Sequence, residues 1–278
     1  NDGYTSFISA EGKIWNASEN IICLKVYTIA NSIQSSDLVK YYKNASKFSA
    51  NVNAANVNVT FNINGVNYTK TSDENGTAYL NINLRPGTYN ITTYFNGINK
   101  TNTVTVLSVI IGDNLVKYYK NGTEFYARFV KCNGEALTNT NVTFNINGVF
   151  YTRETDSNGV AKLNINLRPG NYTLTATNPE TGLDIGFNIT VLPTIIAKNL
   201  TKTYLNASQF NARFVKGNGD SLANVNVTFN INGVFYTRQT NNDGLATLDI
   251  NLIPGKYIIT AIEPVTGLDM GYGVTVLK

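Results

Sequence analysis

The stretch Asn141-Val-Thr-Phe-Asn-Ile-Asn-Gly-Val149 decides the fold, because the same nine residues also start at Asn58 and at Asn226. Within it Val142, Phe144 and Ile146 alternate with Asn141, Thr143 and Asn145. One face is apolar and the other amide and hydroxyl, the period-2 pattern of a half-buried strand. Asn147-Gly148 closes the run. A type I′ hairpin turn needs positive φ at both central residues, and Asn-Gly supplies it at low cost.

Working outward, each copy leads into the same series. A Tyr-Thr step (Tyr68, Tyr151, Tyr236) precedes an acidic or amide turn ending at Gly76, Gly159 or Gly244. An Ile-Asn-Leu strand end and a Pro-Gly turn follow, then a tyrosine two residues on (Tyr89, Tyr172, Tyr257). The copies start 83 and 85 residues apart, so the chain is one module built three times. Upstream in the second copy, Asn114 to Tyr119 and Glu124 to Val130 read as strands split by Asn121-Gly122. About seven strands at short, regular spacing predict an antiparallel sandwich. The reading is all-β: three tandem Ig-like antiparallel β-sandwich domains at 31–108, 109–193 and 194–278, after an N-terminal strand segment at 1–30. The first copy lacks the hairpin tip that Lys131 to Gly134 forms in the second, so its hairpin is shortened. No Gly/Ser or Pro-rich spacer separates the copies, which predicts stiff end-to-end stacking. The tyrosine after each Pro-Gly reads as a tyrosine corner, its hydroxyl reaching back to backbone.

Composition narrows the function classes. Asn, Thr, Val, Ile and Tyr dominate, a β composition. There is no histidine, which removes the commonest general base and metal ligand. The formal net charge of +4 is spread along the chain with no basic stripe, against nucleic acid as partner. No run approaches the roughly 18 apolar residues of a membrane span. No nucleophile–base pair or recurring carboxylate pair is visible, so no enzyme activity and no cofactor or metal is expected. The acidic turns such as Asp156-Ser-Asn-Gly159 are too short and too variable for a calcium loop, and read as β-turns.

Residues 1–30 do not begin a module. Leu24 to Ala30 resembles the end of one, a last strand whose domain is missing. Ile21, Ile22, Cys23, Leu24, Val26 and Ile29 are the candidate intersubunit strand, donated to a neighbouring copy; the alternative is a cut inside a longer array. The chain contains only two cysteines, Cys23 and Cys132. They read as unrelated thiols, with a disulfide between subunits as the alternative. Asn as first residue marks a processed or excerpted chain.

Candidate N-glycosylation triplets begin at Asn16, Asn44, Asn58, Asn67, Asn75, Asn90, Asn99, Asn121, Asn141, Asn171, Asn188, Asn199, Asn206 and Asn226. Strand alternation writes part of this excess, since Asn and Thr two apart share the polar face. Lys40, Lys117 and Lys202 recur on each module's first strand and read as solvated lysines. The alternative is an isopeptide bond of the kind found in similarly shaped Gram-positive adhesins; Thr103, Asn188 and Gly273 stand where the partner asparagine is needed. An aromatic cluster at Phe150/Tyr151 or Phe235/Tyr236 would serve a lectin-like module, or else belong to the core.

The motif from Tyr151 to Thr175, Tyr-Thr-x-x-Thr-Asp-x-x-Gly-x-Ala-x-Leu-x-Ile-Asn-Leu-x-Pro-Gly-x-Tyr-x-Leu-Thr, resembles the Ig-like repeats of adhesin-like surface proteins of methanogenic archaea. The similarity spans residues 31–278. It implies surface display outside the cell and adhesion, as a building block of a fibre or an adhesive stalk. Partners would be neighbouring copies or other modules of a longer adhesin, with a surface ligand that the sequence does not name. The other expectations are a stalk fragment and a carbohydrate- or protein-binding module.

Overall fold

The computed structural model describes residues 32–278. Ile21 to Ile29 and Cys23, the proposed donor strand and one thiol, lie outside the described residues. The chain divides into two compact units, the first ending at Ser108 and the second running Val109–Lys278. The first holds one sandwich and the second holds two. Every regular element among the described residues is a β-strand.

In the second module the five-stranded sheet runs Leu115–Tyr118, Leu183–Leu192, Gly170–Asn178, Asn141–Ile146 and Val149–Glu154, in that spatial order. Val160–Asn164, Glu124–Phe129 and Ile110–Gly112 form the three-stranded sheet opposite. The first module (large sheet Leu38–Tyr41, Ile98–Leu107, Gly87–Phe95, Asn58–Ile63, Val66–Thr71) and the third repeat this order. Each module thus has eight strands where the sequence suggests about seven. The extra one arises because the entry strand breaks and changes sheets. Ile110–Gly112 pairs antiparallel with Glu124–Phe129, whereas Leu115–Tyr118 pairs parallel with Leu183–Leu192. Each sandwich therefore carries one parallel pair in an otherwise antiparallel structure.

The alternation read from the nine-residue repeat holds residue by residue. Val142, Phe144 and Ile146 are buried while Asn141 is exposed. Phe144 meets Phe125 edge to face at 5.7 Å. Phe48–Phe61 and Phe210–Phe229 repeat the contact at 5.8 and 5.7 Å. Edge-to-face packing sets the positive rim of one ring on the negative face of the other. Asn147 and Gly148 take φ of 58° and 78°, the left-handed pair that the type I′ turn demands. The tyrosine hydroxyls Tyr89, Tyr172 and Tyr257 donate to the carbonyls of Arg85, Arg168 and Ile253 at 2.7–2.8 Å.

The reading of Lys40, Lys117 and Lys202 as solvated is corrected. Lys117 is 3% exposed and the other two are equally enclosed. The cause is the sheet change. Its strand reaches the large sheet at the sandwich margin, with Lys117 level with Val191 and turned inward. Lys117 Nζ donates to Thr123 O and Ile165 O at 2.7 and 3.0 Å. Lys40 holds Ser46 O and Ile82 O, and Lys202 holds Ser208 O and Ile250 O. These acceptors are backbone carbonyls, not a side chain on the last strand, so the lysine ties two loop carbonyls and does not face an isopeptide partner. Burial pushes the Lys40 and Lys117 ammonium pKa below the ordinary value of 10.5; at Lys117 the carboxylate of Glu124 partly opposes this.

Candidate functional site: the joint between the second and third modules

Two residues, Pro193 and Thr194, separate the last strand of the second module, Leu183–Leu192, from the first of the third, Ile195–Ala197. Thr194 is buried, and its carbonyl accepts the Val215 N–H of the third module. The connector is therefore part of the third module's fold and has no slack.

The second module presents two turns to the third. One is Tyr118 to Asn121, where Lys120 sits at a φ of 52°. Lys120 Nζ donates to Thr266 O at 2.7 Å. Asn121 Nδ2 donates to Gly217 O, while Asn121 Oδ1 accepts the Thr123 N–H at 2.6 Å. The other is the Pro-Gly turn, whose Arg168 donates to Asp269 O at 2.5 Å and to Asp269 Oδ1 at 2.9 Å. Gly219 of the third module lies flat against Tyr118. A Cβ there would stand 2.8 Å from the Tyr118 ring, at a φ of 89°. Only glycine satisfies both the close approach and the left-handed backbone.

The receiving loop is set by a buried carboxylate. Glu263 is 1% exposed and accepts from the N–H groups of Val265 and Thr266 at 2.6 and 2.9 Å, and from the Thr266 hydroxyl. These bonds aim Thr266 O at Lys120. In the second module Asn178 holds the corresponding place: its Nδ2 donates to Val109 O and Val130 O, and its Oδ1 accepts the Glu180 N–H.

The joint residues Lys120, Arg168, Thr266, Glu263 and Asp269 were not singled out in the sequence. For Lys120 and Arg168 the signal is a departure from the repeat. Lys43 and Lys120 recur, but the third module has Leu205; Arg85 and Arg168 recur, but the third module has Ile253. Of the sequence candidates, Asn121 alone falls in this joint. Cys132, half-buried, lies in the turn at Lys131 to Gly134. Phe150 and Phe235 are not core residues. They are 74% and 67% exposed, on the outermost strand of the large sheet. Three strands do not cover five, so this strand overhangs the core. Tyr151 is half-buried there and carries Arg153 at 5.7 Å over its ring.

The acidic turns are closed by side-chain to backbone hydrogen bonds. Asp156 Oδ1 accepts the N–H groups of Asn158 and Val160 at 2.8 and 2.9 Å. Asp73 and Asn241 make the same pair of contacts. A neutral Asn does the work of Asp, so the carboxylate acts as a hydrogen-bond acceptor. The backbone donors hold the Asp156 pKa below 3.8, Val160 N–H first.

No helix of the described residues is long and apolar enough to cross a membrane. No protein-family model matches the chain, and comparison with curated proteins finds no match. Among solved structures, the chain is similar to the Bacteroides ovatus mixed-linkage glucan utilization locus protein SGBP-B in complex with a heptasaccharide. That match has 16% identity, 87% of this chain, 67% of that one and a TM-score of 0.25. A structure from work on host cell surface retention of a 1.5-MDa bacterial ice-binding adhesin matches at 15% identity, 89% and 98% coverage and a TM-score of 0.23. Titin domains I67–I69 match at 12% identity, 87% and 96% coverage and a TM-score of 0.24.

Proposed function

We propose that the chain is a non-enzymatic extracellular building block of a cell-surface fibre or adhesive stalk, of the kind built from Ig-like repeats in archaeal surface proteins. The observation that carries this reading is the joint at Lys120, Asn121 and Arg168. A two-residue connector and three polar latches on two separate turns fix one module against the next. Such spending of sequence on orientation serves a load-bearing spacer better than a flexible tether. The absence of histidine from the sequence fits the non-enzymatic part.

Assembly by donation of the strand around Ile21 to Ile29 to a neighbouring copy is the finer form of the proposal. It is tested by electron microscopy and non-reducing gels of the full chain against a chain lacking residues 1–30. Filaments lost on truncation support strand donation. Ladders that collapse on reduction implicate Cys23 and Cys132. Monomers in both preparations would remove the self-assembling fibre and leave the stalk.

A further inference from the structure

The same turn carries an Asn-x-Ser/Thr triplet in all three modules: Asn44-Ala-Ser46, Asn121-Gly-Thr123 and Asn206-Ala-Ser208. In each, the Asn Oδ1 accepts the N–H two residues on, at 2.9, 2.6 and 2.8 Å. The triplet is thereby folded into an Asx turn. At Asn206 the Ser208 hydroxyl also donates to Oδ1, at 2.5 Å. Triplets within strands, such as those at Asn141, Asn171, Asn188 and Asn226, have no such geometry. Their two key residues stand about 6.6 Å apart along an extended backbone that is tied into the ladder. The turn triplet at Asn75 has its Thr77 hydroxyl taken by Asn51 Nδ2 at 2.9 Å.

The folded turn has different fates in the second and third modules. Asn121 Nδ2 is spent on Gly217 O across the joint. Asn206 is exposed, and among the described residues its Nδ2 has no hydrogen-bond partner. Leu205, 84% exposed, and Ala207 flank it, so none of the described residues crowds the approach.

We infer that Asn206 is the acceptor for an N-linked sugar added to the folded protein, and that the joint shields Asn121 from the same reaction. The inference rests on the extracellular reading above. The donor is a sugar activated at its anomeric carbon as a lipid-linked pyrophosphate. Asn206 Nδ2 forms the new bond to that carbon. The carbon–oxygen bond to pyrophosphate breaks, and the leaving group takes its electron pair. The amide proton passes to a base of the transferase. The Ser208 hydroxyl, already on Oδ1, stabilises the negative charge that gathers on that oxygen as Nδ2 loses its proton.

The test incubates the folded full chain with a single-subunit oligosaccharyltransferase and a lipid-pyrophosphate-linked oligosaccharide, and reads each triplet by peptide mass spectrometry. The urea-unfolded chain, diluted into the same reaction, is the control for recognition of each triplet. Folded protein is expected to carry sugar at Asn206 at least tenfold above Asn121 and the strand asparagines, with Asn206→Gln removing that signal. In a Lys120→Ala/Arg168→Ala chain, Asn121 is expected to gain sugar; equal protection there would overturn the shielding role. An unmodified Asn206 in folded chain that is modified when unfolded would overturn the proposal, as would equal occupancy of the strand triplets. The reaction is run in solution on purified protein, so its failure is separate from a failure of the fibre reading, which rests on filaments and gels.

Discussion

The lower ends of the second and third modules are the same turns on the same strands, yet they differ where a neighbour would sit. The second module has Tyr118, Lys120 and Arg168, all engaged with the third. The third has Thr203, Leu205 and Ile253, the last two 84% and 68% exposed. Their interiors are almost interchangeable: the edge-to-face phenylalanines, the tyrosine hydroxyl on the Pro-Gly turn and the buried lysine on two carbonyls recur. Three differences at these ends thus separate the module whose Tyr118, Lys120 and Arg168 grip the third from one that presents Thr203, Leu205 and Ile253 instead. The sandwich is set by strand interiors, and its use by what stands at the turns.

The largest effect should come from the shared interior. Lys117→Met leaves Thr123 O and Ile165 O without their donor, and each orphaned carbonyl costs about 1–3 kcal/mol. The second module should lose about 2–4 kcal/mol, read by denaturant unfolding with hydrogen exchange to locate the loss. Lys202→Met should do the same in the third module. Unequal losses would break the claim that the interiors are equivalent. Burial lowers the Lys117 pKa in the folded state, so the unfolded chain binds more protons there. Stability should therefore rise as pH climbs from the folded pKa towards 10.5, and Lys117→Met should flatten that rise.

Gly219→Ala comes next. It sets a Cβ 2.8 Å from the Tyr118 ring at a left-handed φ, and should cost the third module about 1–2 kcal/mol while displacing Tyr118. Thermal unfolding with a near-ultraviolet tyrosine signal reads both. In Tyr118→Ala the backbone cost should remain and the steric part vanish.

Arg168→Ile gives the second module the end of the third. The pair with Asp269 is solvent-exposed, so about 0.2–1 kcal/mol should be lost and each module's own unfolding should stay in place. Its signature is increased motion between modules, seen in nuclear magnetic relaxation. Ile253→Arg, the reverse exchange, should leave stability unchanged.

Asp156→Asn should be the smallest change. At neutral pH it should be silent, since Asn241 makes the same contacts. The folded Asp156 pKa lies below 3.8, so its contribution is complete above that value and lost as pH falls through the folded pKa. The substitution should remove that acid-dependent loosening, measured as amide exchange at Asn158 and Val160.

The strands were legible because Val142, Phe144 and Ile146 report burial by alternation, and Asn147-Gly148 reports its turn by φ. The entry strand was harder. Leu115 to Tyr118 places a lysine inward, and charge pattern alone argues for solvent; the two carbonyls that accept its protons come from residues 6 and 48 positions away. The outermost strand stayed undecided in the sequence, because Phe150 and Tyr151 fit an exposed cluster as well as the core; no opposing strand covers them, and Phe150 is exposed. The joint was the least legible part. Lys120 and Arg168 meet residues 146 and 101 positions away, and although Thr181 and Asp184 repeat the partners Thr266 and Asp269, nothing local links a lysine or arginine to either. The trace that did exist was negative: Leu205 and Ile253 break a repeat that two modules keep.

The central claim is that the latches at Lys120, Asn121 and Arg168 hold the second and third modules in one orientation. The direct measurement is a pulsed electron paramagnetic resonance distance between spin labels at Glu154→Cys and Gln239→Cys, in a full chain with Cys23→Ser and Cys132→Ser. A single narrow distribution that broadens in Lys120→Ala/Arg168→Ala is the expected result. A broad distribution in the parent chain, unchanged by those substitutions, would contradict it.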